Sequence, residues 1–213
     1  MIAHMTLEAD VYWSFRSPYS YLATRRYATL AQDYDFRINQ RFVYPLAIRE
    51  PDFFERNHPN WLRYVFKDIF RVAQFLDIPL APPNPDPIVQ DIATRKIADD
   101  QPHIFVLTRM GQAASRRGKG LEFADEVSRL IWGGVKDWHK GDHLAQAAAR
   151  AGLNLIDLQT EAEAQAKELD DEIARNQKAL EAAGHCRHWE TAGKNNNHSE
   201  SVTPESEVGK PII

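Results

Sequence analysis

The chain begins with alternation. Ala9-Asp10-Val11-Tyr12-Trp13-Ser14-Phe15 is rich in β-branched and aromatic residues and predicts a strand. Pro18 then suits the first position of a helix, because its fixed φ is already helical and its missing N–H would have had no partner there. Ser17 is placed to cap that helix, which runs to about Asp33 with Tyr21, Leu22 and Leu30 as apolar positions. Phe36-Arg37-Ile38-Asn39-Gln40-Arg41-Phe42-Val43-Tyr44 returns to alternation and predicts a second strand. Strand, helix and strand with a short connection make a βαβ unit, so the strands should be parallel with a right-handed crossover.

From Pro51 onward the apolar period becomes helical. Pro59 opens a helix in which Trp61, Val65, Ile69, Ala73 and Leu76 share a stripe, ending at Pro79. Five prolines from Pro79 to Pro87 enforce a stiff extended connection. Further helices are predicted from Pro102 to near Gly118 (Ile104, Leu107, Met110 inward) and from Glu122 to Ile131 (Phe123, Val127, Leu130). Asp142 caps another, through Leu144, Ala147 and Ala148 to Gly152. Beyond Leu153-Asn154-Leu155, a last helix over about Thr160 to Ala183 aligns Leu169, Ile173 and Leu180 ahead of Gly184. Residues 51–152 thus read as a helical insertion dividing a domain made of residues 5–50 and 153–213. From His185 the character changes, and Lys194-Asn195-Asn196-Asn197-His198-Ser199-Glu200-Ser201 reads as disordered.

Composition narrows the class. At 213 residues and 43% hydrophobic content a packed core is within reach. A net charge of −4, from 26 basic and 30 acidic residues, argues against nucleic acid as a partner. The single cysteine, Cys186, cannot close an intrachain disulfide, and Met1-Ile2-Ala3-His4-Met5 has no basic segment followed by an apolar one. No run approaches the ~20 apolar residues of a membrane helix. A cytoplasmic protein without a membrane partner is expected.

Candidate chemistry gathers at Ser17-Pro18-Tyr19-Ser20, where a thioredoxin-like redox protein would carry Cys-x-x-Cys. Both sulfurs are missing, which excludes disulfide exchange through this motif. A helix N-terminus nevertheless offers unpaired N–H donors and the positive end of a dipole, and these stabilise a thiolate. The residues alone leave two readings of Ser17 open: a hydroxyl that only caps the helix, or one that holds a thiolate brought by a thiol cofactor. Ser20, one turn on, can be a plain helix-surface serine. Trp13, Tyr19 and Tyr21, close by in sequence, could line a pocket for an aromatic substrate.

The string Phe15-Arg16-Ser17-Pro18-Tyr19-Ser20-Tyr21-Leu22-Ala23, set after a strand, resembles 2-hydroxychromene-2-carboxylate isomerases and their relatives, the kappa-class glutathione transferases. These are thioredoxin-fold proteins with an inserted helical domain, related to bacterial disulfide oxidoreductases of the DsbA type. The likeness runs in element order from about Leu7 to Gly184. It implies an α/β, thioredoxin-like fold with a large all-helical insertion. It implies glutathione as cofactor and cis-trans isomerisation of a small aromatic substrate by reversible thiolate addition, in the breakdown of aromatic compounds. A kappa-like transferase and a non-catalytic thioredoxin-fold remnant or binding module are the alternatives. By resemblance Ser17 hydrogen-bonds the glutathione sulfur. Asn57, in Asn57-His58-Pro59, matches a family asparagine that contacts glutathione or substrate, although locally it reads as a helix cap. Arg49 stands near the place of a family lysine and could substitute as the cation. Pro85-Asp86-Pro87 reads as scaffold.

The C-terminus departs from that pattern. Family members follow the last helix with a Gly-Val-Pro-Thr step whose backbone pairs with glutathione, whereas Gly184-His185 is followed here by Cys186-Arg187-His188-Trp189-Glu190-Thr191. Val202-Thr203-Pro204 is followed by no apolar strand. The C-terminal strands are therefore expected to be missing or altered, with the tail derived from a shifted reading frame or a fused sequence. The edge of the first strand and one apolar sheet face should then be uncovered, and a second copy in a homodimer could cover them. No metal is expected: Gly141 puts a turn between His139 and His143 with their neighbours Asp137 and Asp142, and His185, Cys186 and His188 lack a second ligand pair. Arg116-Arg117-Gly118-Lys119 reads as a solvated basic loop.

Overall fold

The computed structural model describes residues 6–91 and 93–184. Strands β1 (Leu7–Trp13) and β2 (Phe36–Phe42) pair in parallel and are joined by α1 (Pro18–Asp33). The first strand stops at Trp13, two residues before the predicted end, because the Ser14 carbonyl accepts the Ser17 N–H at 3.1 Å and turns the chain. In register, Ala9 faces Ile38, Val11 faces Gln40 and Trp13 faces Phe42. Side chains alternate across a sheet, so these six share one face. Glu8, Asp10 and Tyr12 share the other with Arg37, Asn39 and Arg41, tied by Glu8–Arg37 and Asp10–Arg41 ion pairs. Among the described residues the less covered face is thus polar, which corrects the expected bare apolar one. The expectations placed on residues from His185 onward lie outside the described residues.

Two single-turn helices follow, α2 (Leu46–Arg49) and α3 (Phe53–Arg56), too short to show a period in the sequence. Then come α4 (Pro59–Phe75), α5 (Ile104–Arg116), α6 (Gly120–Trp132), α7 (His143–Arg150), α8 (Leu155–Ala164) and α9 (Ala166–Ala182). The predicted last helix is therefore two. Asn154 starts the first of them, its Oδ1 accepting the Ile156 and Asp157 N–H groups, and Gln165 separates the pair. Among the described residues no helix is long and apolar enough to cross a membrane.

One hydrophobic cluster spans the sheet and the helices of the predicted insertion. Its centre is aromatic: Trp13, Phe15, Phe42 and Phe123 pack with ring centroids 4.6 to 6.2 Å apart. Helix α5 comes close enough to the sheet that a Cβ on Gly111 would lie 2.7 Å from the fully buried Phe42 ring. Gly111→Ala should therefore overpack the core and lower the free energy of unfolding by about 1–3 kcal/mol in urea titrations. An unchanged midpoint would contradict the close approach.

Helix α9 is fastened by polar contacts. Arg109 pairs with Asp170 at 2.7 Å, and Asn176 Nδ2 donates to the Phe42 carbonyl at 2.9 Å. Arg116 closes α5 and pairs with Glu161, Glu168 and Glu172, so the basic cluster is no solvated loop but the anchor of α8 and α9. Asp170 is partly buried, which opposes ionisation, yet hydrogen bonds from Arg109 and Tyr44 hold its carboxyl below the usual range.

His103, ahead of α5, packs its ring on Trp138 and His139, with centroids 5.5 and 4.6 Å away. Burial, and then the charge of His139, lower its pKa from the ordinary 6.5. The unfolded chain then binds more protons just below pH 6.5, so stability should fall as pH drops through 6.5 toward the folded-state value. His103→Phe keeps the ring packing and should flatten the melting temperature over that window. An unaltered slope would exclude His103 as its source.

Candidate active site

The site is built where β1 hands over to α1. Ser17 has extended backbone, and its Oγ accepts the Ser20 N–H at 3.2 Å, so it is the N-cap. Accepting through a lone pair leaves the hydroxyl hydrogen free to donate outward. Pro18 has no N–H, Ser20 is engaged by Ser17 Oγ, and the Tyr21 N–H goes to the Ser17 carbonyl, which leaves the Tyr19 N–H without a partner among the described residues. No acidic residue occupies the first turn of this 16-residue helix, so the positive end of its dipole is not offset within that turn. One turn upstream, Ser14 Oγ is buried and lacks a hydrogen-bond partner among the described residues. A hydroxyl hydrogen and a backbone N–H at a helix N-terminus make a place for an anion the size of a thiolate.

The predicted insertion holds this turn. Trp132 Nε1 donates to the Phe15 carbonyl at 3.0 Å. Arg16 bonds Asp86 through Nε and Nη2, reaches Gln90 Oε1 at 2.7 Å, and lies over the Phe54 ring at 5.3 Å from its centroid. The proline-rich connection is thus more than a spacer: Asp86 also accepts the Ile88 N–H, and Pro79 accepts the Tyr21 hydroxyl. Arg16, Phe54 and Gln90 escaped sequence reasoning. Only an arginine beside the motif and an aspartate among prolines hinted at the pair.

The other sequence-predicted residues are divided by the structure. Trp13 and Tyr21 are 1% and 5% exposed, so both belong to the core and not to a substrate pocket. Trp13 Nε1 donates to Thr24 Oγ1 at 2.8 Å, fixing β1 to α1. Tyr19 is exposed, with its hydroxyl on Asp68 at 2.6 Å; burial and then that hydrogen bond push its pKa above the ordinary value. Asn57 is buried. It ends α3, donating from Nδ2 to the Phe53 carbonyl, while His58 Nδ1 caps α4, which corrects the cap reading of Asn57. Arg95 bonds the Asn57 carbonyl, Gln90 bonds the Arg95 carbonyl, and Arg16 bonds Gln90, a hydrogen-bonded path from Asn57 to the residue beside Ser17. Arg49 lies at the end of α2 with its Nε donating to the Tyr44 carbonyl. Among the described residues no three His, Cys, Asp or Glu side chains form a group that could hold a metal ion.

A parallel βαβ start, a capped helix presenting its N-terminus as the site, and an inserted helical layer define a thioredoxin-like protein. The chain matches the DSBA-like thioredoxin domain over residues 8–184. It belongs to that family. No curated protein matches it. Among solved structures it is similar to a 2-hydroxychromene-2-carboxylate isomerase, at 20% identity and a TM-score of 0.58 over 79% of this chain and 78% of the other. It is similar also to the cytosolic disulfide reductase DsbM from Pseudomonas aeruginosa (14% identity, TM-score 0.54, 84% and 80% covered). A third likeness is to a putative protein disulfide isomerase from Nitrosomonas europaea (11% identity, TM-score 0.51, 84% and 80% covered). At these identities the shared feature is the fold.

Proposed function

We propose that this chain is a cytoplasmic, glutathione-dependent isomerase acting on a small aromatic substrate of the 2-hydroxychromene-2-carboxylate type. The observation that carries the reading is the pair of donors at the start of α1, the Ser17 hydroxyl and the unpaired Tyr19 N–H, where a redox relative would hold a sulfur of its own. Neither Ser17 nor Ser20 can form a mixed disulfide, so the disulfide chemistry of the reductase-like neighbours has no nucleophile here.

Bound glutathione would supply a thiolate that adds to the conjugated double bond and, after rotation about the resulting single bond, leaves again. Ser17 donates its hydroxyl hydrogen to the sulfur, and the helix dipole lowers the thiol pKa so that the anion forms near neutral pH. By resemblance Asn57 would contact glutathione or the substrate, and Arg49 would stand in as the cation for a family lysine that has no match in this chain. Exposed Tyr19 offers an aromatic flank to the substrate. Arg16, fixed by Asp86 and Gln90, keeps the turn rigid, so the donors are aimed before the ligand arrives.

Isothermal titration of glutathione tests the reading. A hydrogen bond to a charged group contributes roughly 1.5–3 kcal/mol, so Ser17→Ala should weaken binding at least about tenfold and remove isomerisation followed by substrate absorbance. No heat from the folded wild-type chain, or equal affinity in the variant, would reject the proposal.

A further inference from the structure

Helix α4 is anchored on its inner side by Ile69 and Ala73, both buried. At 3.6 residues per turn, Arg63, Lys67 and Arg71 then fall in one row along its outer side, a turn apart. All three are exposed, and none has an ion-pair or hydrogen-bond partner among the described residues. Arg109, Arg116 and Arg150, elsewhere on the chain, are each held by a carboxylate. The helix carries a single acid, Asp68, which lies off the row and accepts the Tyr19 hydroxyl at 2.6 Å. An uncompensated row of cations thus stands on a chain whose net charge is −4.

Rings flank the row. Phe66 and Phe70 lie along one side of it, 48% and 46% exposed, and Tyr64 and Phe75 along the other, 62% and 87% exposed. Exposed aromatic surface gathered on one face marks a place where something docks. The layout indicates what. Interfaces between proteins set apolar residues at the centre and charges at the rim, with lysine depleted, and here the charges are central and the rings lie outside them. A second copy related by a two-fold axis would set the three cations against the same three. A nucleic-acid strand is gripped along a positive groove, whereas the outer side of a lone helix is convex. A rod about 25 Å long, with long cationic side chains flanked by rings, matches instead a flat anionic layer: the cations reach phosphates and the rings settle between headgroups.

We infer that α4 docks this protein, peripherally and reversibly, on an anionic lipid bilayer. No spanning helix is needed for this, so the missing apolar run does not speak against it. The inference is independent of the chemistry at Ser17.

The test is co-sedimentation of the full chain with vesicles of phosphatidylcholine alone or mixed with phosphatidylglycerol. Each cation at an anionic surface contributes about fivefold, so the mixed vesicles should bind roughly a hundredfold more tightly. Salt at about 1 M, where charges are screened over roughly 3 Å, should remove that preference. Arg63→Gln combined with Arg71→Gln should weaken binding to the mixed vesicles about 25-fold, and Phe75→Ala about threefold or more. These side chains are exposed and anchor nothing among the described residues, so the variants keep the fold. The same loss of charge on α9, by Lys167→Gln combined with Lys178→Gln, should leave binding within about threefold of the wild type. Equal binding to both kinds of vesicle, an Arg63 and Arg71 variant no weaker than the α9 variant, or tighter capture by a single-stranded oligonucleotide than by the mixed vesicles would each overturn the inference.

Discussion

In a Cys186→Ser background, Ser17→Cys is expected to create a thiol that titrates about one to two units below the ordinary 8.5, read as the midpoint of the pH profile of alkylation. The cause lies in the site and not in any ligand. Ser17 Oγ accepts the Ser20 N–H, and a sulfur at the same place would take that bond. The unpaired Tyr19 N–H and the uncompensated dipole of α1 add to it, and all three favour the anion. The experiment separates the site's field from glutathione recognition. A depressed midpoint together with failure of glutathione to bind the parent chain would mean an intact anion site that lacks the rest of a tripeptide site. A midpoint at or above 8.5 would show that the α1 N-terminus does not stabilise a thiolate, and the proposed mechanism would lose its basis.

Trp13→Ala should cost about 3–5 kcal/mol of unfolding free energy, a large part of what a domain of this size holds. The indole is 1% exposed, packs at 4.6 Å from Phe15 and 5.4 Å from Phe42, and its Nε1 ties β1 to Thr24 of α1. The bulk of the loss comes from the cavity left among fixed rings. Trp13→Phe, which keeps an aromatic ring and gives up the indole hydrogen bond, should cost less. Urea unfolding checks the order of the two variants. A residue lining a substrate pocket would show the opposite signature, with nearly unchanged stability and weakened substrate binding.

Much of the architecture could be read from the chain because it is written locally. Alternation gave both strands, Pro18 and Ser17 set the start of α1, and the stripe of Ile69 and Ala73 gave α4. Elements that make few local signals were hidden. Helices α2 and α3 are one turn each, and the break at Gln165 separates two segments that share a continuous helical pattern. The anchoring role of Arg116 is invisible in its own stretch of chain, because a run of basic residues says nothing of Glu161 and Glu172, about fifty residues away, which neutralise it.

Ser17 shows both halves of the question at one residue. That a serine caps a helix following a strand is already dictated by local sequence, since proline geometry and side-chain length act within a few bonds of one another. Local sequence likewise determines that no sulfur stands there. Which aromatic residues near the motif are exposed is set instead by packing: Tyr19 lies outward, Trp13 and Tyr21 in the core. It also decided that Asp86, seventy residues away in the chain, would clamp Arg16, and that the Gln40 side chain would be buried with no hydrogen-bond partner among the described residues. Burial and partnership depend on which distant surfaces meet, and that is set by packing of the whole chain and not by any stretch of it.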